Sequence, residues 1–326
     1  MRLKNKVVVV TGGAGFIGSH LVDALLKEEP EKVIVLDNLF LGKTDNLEDA
    51  FAAHDNLELQ MLDITDYELL SDVFERDVVD VVFNLAITPL PVCLKKPKWS
   101  WDKNITMTAN ICELARFDKF ETLIHTSSSE AYGTLLTDPM PESHPLYPHT
   151  PYAASKAATD HLVFSYYKTF GIEQSIIRPF NNYGPRQNEK YYAGVIPLTI
   201  KRILKGEKPI IFGDGLQTRD FIYVTDTARS FIDIYEHKNT RGQLINIASG
   251  EEISIKTYIL EIAKHLSYTG EIDYHEARKG DVRRHKGDIR LALDLIGFKT
   301  SVGIEEGIRN TVEWYVEYFE KNKGSL

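Results

Sequence analysis

The stretch Val7-Val8-Val9-Val10-Thr11-Gly12-Gly13-Ala14-Gly15-Phe16-Ile17-Gly18 constrains this chain more than any other. Consecutive valines are stiff at χ1 and suit a strand buried on both faces. The glycines that follow let the backbone turn tightly, and the pattern beyond them predicts a helix beginning near Gly15. Strand, glycine turn and helix in that order open a βαβ unit, whose right-handed crossover leads to a parallel sheet. Gly12 permits the turn, Gly15 lets a pyrophosphate approach the backbone, and Gly18 packs helix on strand. The helix N-terminus adds unpaired N–H groups, so the turn suits an anion.

Further short apolar runs recur at 33–36, 57–62, 78–85, 122–125 and 175–177, with helical pattern between them. The alternation predicts an α/β fold, a Rossmann-type doubly wound parallel sheet whose ligands bind beyond the carboxyl ends of its strands. Past Gly184 the pattern loosens into helical stretches at 196–204, 225–236, 255–266 and 304–319. We therefore expect a dinucleotide-binding domain over 1–180. The remainder, 181–326, is expected to be mainly a smaller substrate lobe with some chain returning to the first domain, and the tail from Lys321 is expected to fray.

The second apolar run ends at Asp37, about twenty residues after the glycine turn, as a dinucleotide fingerprint requires. Its carboxylate is placed for the adenosine ribose hydroxyls and would repel a 2′-phosphate, which favours NAD over NADP. Lys43 is close enough to act in the opposite sense. Asp63, ending the third run, could meet the adenine edge or could cap a helix starting at Thr65.

Composition narrows the partners. A formal net charge of -9 leaves no basic footprint for nucleic acid or an anionic membrane. Cys93 and Cys112 are the only cysteines. They lack metal-ligand spacing and suit a reducing compartment, so neither a metal nor a disulfide is expected. No apolar run reaches the roughly 18 residues of a membrane span, and a cytoplasmic location is expected.

A second chemical signal is Tyr152-Ala153-Ala154-Ser155-Lys156, whose tyrosine and lysine share a helix face. The segment Thr126-Ser127-Ser128-Ser129-Glu130-Ala131-Tyr132-Gly133 follows the fifth run directly, and so lies at the same edge of the sheet. Oxidising a sugar alcohol needs a base for the hydroxyl proton while hydride leaves carbon. Tyr152 can serve if the Lys156 ammonium and the nicotinamide charge lower its pKa, with Ser128 orienting the same substrate oxygen. A helix cap and a surface aromatic-cation pair are the plainer alternatives.

The glycine turn, the Ser-Ser-Glu-x-Tyr-Gly segment and Tyr-x-x-x-Lys stand in the order found in extended short-chain dehydrogenases/reductases. The chain resembles their NAD-dependent epimerase/dehydratase branch from Lys6 almost to Phe319. The likeness continues through Asn84-Leu85-Ala86, Arg178-Pro179-Phe180-Asn181-Asn182-Tyr183-Gly184-Pro185-Arg186, Gly213-Asp214-Gly215-Leu216-Gln217-Thr218-Arg219-Asp220 and Arg278-Lys279-Gly280-Asp281.

This resemblance implies Tyr152 as base, Lys156 as its partner and Ser128 as hydroxyl anchor, acting on a nucleotide-diphosphate sugar. It implies that Asn181, Arg219 and Arg278 hold the diphosphate and that Asp281 meets the nucleotide's ribose. Surface ion pairs with Asp220 or Asp281 are the alternative for the arginines. Phe16, Ile17, Asn38, Ile64, Leu85, Ala86 and Pro179 are counted with the cofactor site, and a homodimer is expected from the resemblance.

Members of this branch share a 4-keto sugar and then diverge. Glu130 resembles the glutamate that dehydratases and sugar-nucleotide decarboxylases carry two residues before the tyrosine of the Tyr-Gly pair, where it could remove the acidified C5 proton. Ser129 stands where glucose-type 4,6-dehydratases place an aspartic acid, although mannose-type enzymes resemble this chain in using serine. Arg186 could bind a C6 carboxylate, or be structural. The loop 87–94 is more apolar and proline-rich than in common members. We expect a 4,6-dehydratase-like enzyme, with 4-epimerase or UDP-glucuronate decarboxylase as alternatives. A non-catalytic dinucleotide sensor is countered by the joint presence of Ser128, Tyr152 and Lys156.

Overall fold

The structure, a computed structural model, describes residues 2–189, 194–278 and 280–322. Lys279 and the last four residues of the expected fraying tail lie outside the described residues. The first half runs β1 (Val7–Thr11), α1 (Phe16–Leu26), β2 (Lys32–Asp37), α2 (Glu48–Ala53), β3 (Leu57–Met61), α3 (Tyr67–Arg76), β4 (Val79–Asn84), α4 (Leu90–Lys95), α5 (Pro97–Arg116), β5 (Phe120–Thr126), α6 (Pro151–Phe170) and β6 (Glu173–Pro179). The second half continues β7 (Asn181–Tyr183), α7 (Val195–Leu204), β8 (Ile210–Phe212), β9 (Thr218–Arg219), β10 (Phe221–Tyr223), α8 (Val224–Glu236) and β11 (Leu244–Ile247). It closes with β12 (Ile253–Ser254), α9 (Ile255–His265), β13 (Asp273–His275), α10 (Arg290–Ile296) and α11 (Ile304–Lys321).

The main sheet has seven strands in the order β11-β6-β5-β4-β1-β2-β3, and every neighbouring pair is parallel. Side chains alternate across it. Val8 and Val10 pack with Leu21, Leu25 and Phe231 on the face covered by α1 and α8, while Val9 packs with Leu70, Ile111 and Val163 on the opposite face. This is the doubly wound architecture read from the apolar runs, and each of those runs is a strand.

The second half of the chain returns to the first domain in two places. β11 adds to the main sheet beside β6, and α8 packs against α1, so the second half supplies both a strand and a helix to the first domain. The four-residue strand β11 is too short to stand out as an apolar run in the sequence. A separate core of Ile196, Ile200, Tyr258, Ile262, Val312 and Tyr315 organises the smaller lobe. The apolar segment after β4 is not wholly a loop: from Leu90 it forms α4, with proline accepted in the first turn, where no intrahelical N–H bond is lost.

The sheet order reverses between β1 and β4, and the crevice at that reversal is where open α/β sheets bind ligands. It opens between the two lobes.

Candidate functional site

Gly12, directly after β1, has φ +70, and a Cβ there would come within 3.0 Å of the Ala86 backbone. At Gly18 a Cβ would lie 2.2 Å from the Gly12 carbonyl oxygen, so helix and turn can touch only through glycine. Thr11 ties the turn to the end of β4: its hydroxyl donates to Asn84 Oδ1 at 2.7 Å and accepts from the N–H groups of Leu85 and Ala86, each at 3.1 Å. No side chain caps α1, which leaves its first N–H groups for a ligand. The residues present therefore fit a dinucleotide pyrophosphate.

Asp37 closes this side. Its carboxylate accepts from Ala14 N at 3.1 Å and Leu39 N at 2.8 Å. Burial raises its pKa, and the two N–H groups act against the rise. Asp63 accepts from Thr65 N and Oγ1, at 3.0 and 2.7 Å, and from Lys103 Nζ at 2.8 Å. The helix-cap alternative for Asp63 fails, because α3 begins at Tyr67 and Asp66 caps it through Leu69 N at 3.2 Å. Asp63 instead lines the cleft.

The second cluster gathers where β5 ends. Ser128 starts a short 3-10 turn over Ser129–Tyr132, its Oγ accepting from Glu130 N at 3.3 Å. The turn sends alternate residues to different surroundings: Ser128 and Glu130 line the cleft, whereas Ser129 is buried and does not. Of the residues that the sequence assigns to the site, Ser129 alone is absent from the cleft wall. Thr150 caps α6, accepting from Ala153 N at 3.2 Å, and Pro151 opens the first turn. That start sets Tyr152 and Lys156 on the cleft side of the helix.

Lys156 Nζ donates to the Thr126 carbonyl at 2.6 Å. Burial lowers its pKa to about 8, with Asp160 acting to raise it. Burial pushes the Tyr152 phenol well above its ordinary value; hydrogen bonding with Ser128 opposes this, and Glu130 adds to it. Lys156, expected to depress that pKa, is not among its leading influences: burial lowers its own pKa to about 8, so the amine has lost its charge before the phenol, pushed up, would ionise. Glu130 is also shifted up, by burial first, with Arg219 opposing. A carboxyl with a raised pKa is suited to exchange protons near neutrality.

Beneath this cluster Arg178 Nη2 meets Asp160 Oδ2 at 2.5 Å, and Ser127 Oγ donates to the same oxygen at 2.6 Å. The Arg178 guanidinium also lies 4.2 Å from the centre of the Tyr132 ring.

From the smaller lobe, Asn181, Arg219, Arg278 and Asp281 line the same cleft. Arg219 pairs with Asp281 and donates to the carbonyls of Thr218 and Val282, both at 2.8 Å. Asp220 is not its partner. That carboxylate accepts from Ser249, Gly250 and Gly287, and burial raises its pKa to about 6. The Arg278 guanidinium stacks 4.1 Å from the Phe212 ring centre. Arg186 also borders the cleft, and its Nη1 is paired to Asp23 on α1 at 2.6 Å.

The whole cleft encloses about 1210 Å³. That exceeds the roughly 300–1,000 Å³ of an ordinary small-molecule site and leaves room for two ligands. Among the described residues no group of three His, Cys, Asp or Glu side chains is arranged to hold a metal ion, and no helix is long and apolar enough to cross a membrane.

Residues 9–311 match the family model described as GDP-mannose 4,6 dehydratase. The chain belongs to the NAD-dependent epimerase/dehydratase family. Among its relatives in this family is a UDP-glucose 4-epimerase of Mycolicibacterium smegmatis, 35% identical over 94% of this chain and 97% of that one. A UDP-glucuronic acid decarboxylase of Arabidopsis thaliana is 34% identical over 93% of this chain and 87% of its own length. The solved dTDP-glucose 4,6-dehydratase of Bacillus anthracis, in complex with NAD, superposes with a TM-score of 0.87 at 31% identity, covering 97% of this chain and 98% of that one. The epimerase/dehydratase family thus embraces three outcomes at similar distances from this sequence.

Several wall residues belong to no motif in the sequence. Phe212 could have been found from its place immediately before the turn Gly213-Asp214-Gly215, where a strand must end. Lys103 could not, since it reaches Asp63 from a helix forty positions away and only the fold brings them together.

Proposed function

We propose that this chain oxidises the C4 hydroxyl of a nucleotide-linked sugar with bound NAD, and then eliminates water across C5 and C6 in the manner of a 4,6-dehydratase. The observation that carries the second step is Glu130, a carboxyl with raised pKa lining the cleft beside Ser128 and Tyr152. NAD, when bound, supplies the acceptor for the hydride leaving C4 and a positive charge that favours the Tyr152 phenolate. The glycine turn would hold its pyrophosphate and Asp37 its adenosine ribose. Arg219 and Arg278 are assigned to the substrate diphosphate, Asn181 to the same contact and Asp281 to the nucleotide ribose.

In this reading Ser128 donates to the C4 oxygen while Tyr152 takes its proton, which leaves a ketone that acidifies the neighbouring C5–H bond. Glu130 removes the C5 proton and passes it to the departing C6 hydroxyl, which leaves as water. Bound NAD would supply the hydride needed at C6, having taken it from C4, and the proton held by Tyr152 balances the one regained at C5. With Ser129 off the cleft wall, Glu130 serves both transfers. Lys156 keeps an ammonium near the reacting groups below its pKa of about 8.

Likeness to 4-epimerases supports a second reading, in which the ketone turns over in the site and hydride returns to its other face. Glu130→Gln separates the two. The amide keeps the shape but cannot take a proton, so elimination should slow by about 10²- to 10⁴-fold, with reduced nicotinamide and a 4-keto sugar accumulating. Stopped-flow absorbance together with product NMR reads this. Turnover close to wild type would remove the elimination step and favour the epimerase.

Assembly and location belong to the same proposal. A homodimer in the cytoplasm is proposed; for the dimer, the support is that α5 and α6 pack side by side and expose Trp101, Phe164 and Phe170, apolar side chains of the kind that interfaces bury.

A further inference from the structure

Lys43 follows Gly42, whose missing Cβ would strike both Asp37 carboxylate oxygens at 2.8 Å. Its backbone N–H donates to the Ala14 carbonyl at 3.0 Å, so this lysine is anchored beside the carboxylate that meets the adenosine ribose. An ammonium there is suited to a 2′-phosphate and works against the preference that Asp37 creates. The structure shows where that ammonium goes. Lys43 Nζ donates to both oxygens of Glu189, at 2.7 and 2.8 Å, and to the Tyr318 hydroxyl at 3.2 Å. Glu189 is only 3% exposed and lies 146 positions away, on the segment that follows β7. Two cross-lobe contacts pin the start of that segment: Arg186 Nη1 with Asp23, and the Pro185 carbonyl with His20 Nε2 at 3.1 Å.

We infer that Glu189 is a determinant of cofactor choice: by holding Lys43 it withholds the ammonium beside Asp37 from a 2′-phosphate, and so keeps the site selective for NAD over NADP. The inference rests on the proposal that this cleft binds NAD. It assigns part of cofactor discrimination to a substrate-lobe residue outside the glycine turn and outside the loop after β2. Glu189 acts on the cofactor through Lys43, and is therefore a positioning residue.

The two members of the pair predict opposite shifts. Glu189→Gln frees Lys43 and removes a negative charge, so the NADP dissociation constant should fall on the order of tenfold while that for NAD stays within about twofold. Lys43→Met leaves the Glu189 carboxylate unneutralised, so NADP should bind more weakly with NAD little changed. In the double variant the NADP gain should vanish, because the group that grasps the phosphate is gone.

The measurement is calorimetric titration of the full chain, stripped of nucleotide, with NAD and with NADP, circular dichroism serving as the check on folding. An unchanged NADP-to-NAD ratio in both single variants would overturn the inference, as would equal weakening of both cofactors or a gain that survives in the double variant. If Glu189→Gln does not fold, Glu189→Asp takes its place, its shorter carboxylate loosening the hold on Lys43, with a gain in NADP affinity in the same direction expected. A wild-type chain that binds neither cofactor overturns the NAD reading along with the inference, whereas NAD binding with an unmoved ratio overturns the inference alone.

Discussion

Tyr152→Phe should abolish turnover of the nucleotide sugar while leaving NAD affinity close to that of the wild-type chain. The aromatic ring stays in the cleft wall, so the cofactor loses little contact area. What disappears is the oxygen assigned to take the C4 hydroxyl proton, and no neighbouring group is placed to replace it. Lys156 is engaged by the Thr126 carbonyl, and Glu130 is assigned to the next carbon. General base catalysis contributes typically about 10²- to 10⁴-fold, and both later steps depend on the ketone, so the whole rate should fall by that order. Steady-state kinetics with a parallel NAD titration separates lost chemistry from lost binding. Turnover within about threefold of wild type would show that another group takes the proton.

Asp160→Asn is expected to have the largest effect on stability. Arg178 is 2% exposed and Asp160 4%, so the substitution strands a guanidinium in the interior. Breaking a buried pair by removing one partner typically costs about 3–5 kcal/mol. Spread over the unfolding entropy of a chain of this size, that is a fall in Tm of about 4–7 °C. Replacing both partners at once, Asp160→Leu with Arg178→Met, should recover much of the loss, since no unpaired charge then remains.

The same carboxylate also raises the pKa of Lys156 against the burial that lowers it to about 8. Without Asp160 the ammonium is lost at lower pH, so the alkaline limb of the pH–rate profile should move toward neutrality. The sign follows from which form is disfavoured: burial penalises the charged amine, and a negative neighbour is what opposes it. A melting curve with no shift, or a stability loss with an unmoved pH profile, would count against the respective half of this expectation.

The parts that were legible in the sequence are those where chemistry and chain order coincide. Val7 to Thr11 could only be a buried strand, and the spacing of Gly12, Gly15 and Gly18 records steric contacts that tolerate no Cβ, so both the fold and the cofactor turn could be read directly. Ser128, Tyr152 and Lys156 were legible because each sits just past a strand or on the first turns of a helix. The 3-10 turn carries Ser128 and Glu130 to the cleft and buries Ser129 between them, an alternation that has no residue signature. Asp63 and Arg186 each carry two readings in the sequence: the cap at Asp66 removes the helix-cap reading of Asp63, and the partner that Arg186 meets, Asp23, lies on a helix far away in the chain. β11 has only four residues and joins a sheet whose other strands all precede residue 180, so its sequence carries little sign of it. The Lys43–Glu189 pair joins distant loops, which no local pattern encodes.

Oxidation at C4 followed by elimination through Glu130 can be decided by the fate of one hydrogen. The wild-type chain should be given UDP-, dTDP-, GDP- and CDP-linked hexoses carrying deuterium at C4, and the products followed by NMR. One of them is expected to become a 4-keto-6-deoxy sugar with the deuterium now at C6, because the hydride leaves from C4 and returns two carbons away. A C4 epimer that keeps its deuterium at C4, or no turnover of any nucleotide sugar in the panel, would contradict this chemistry.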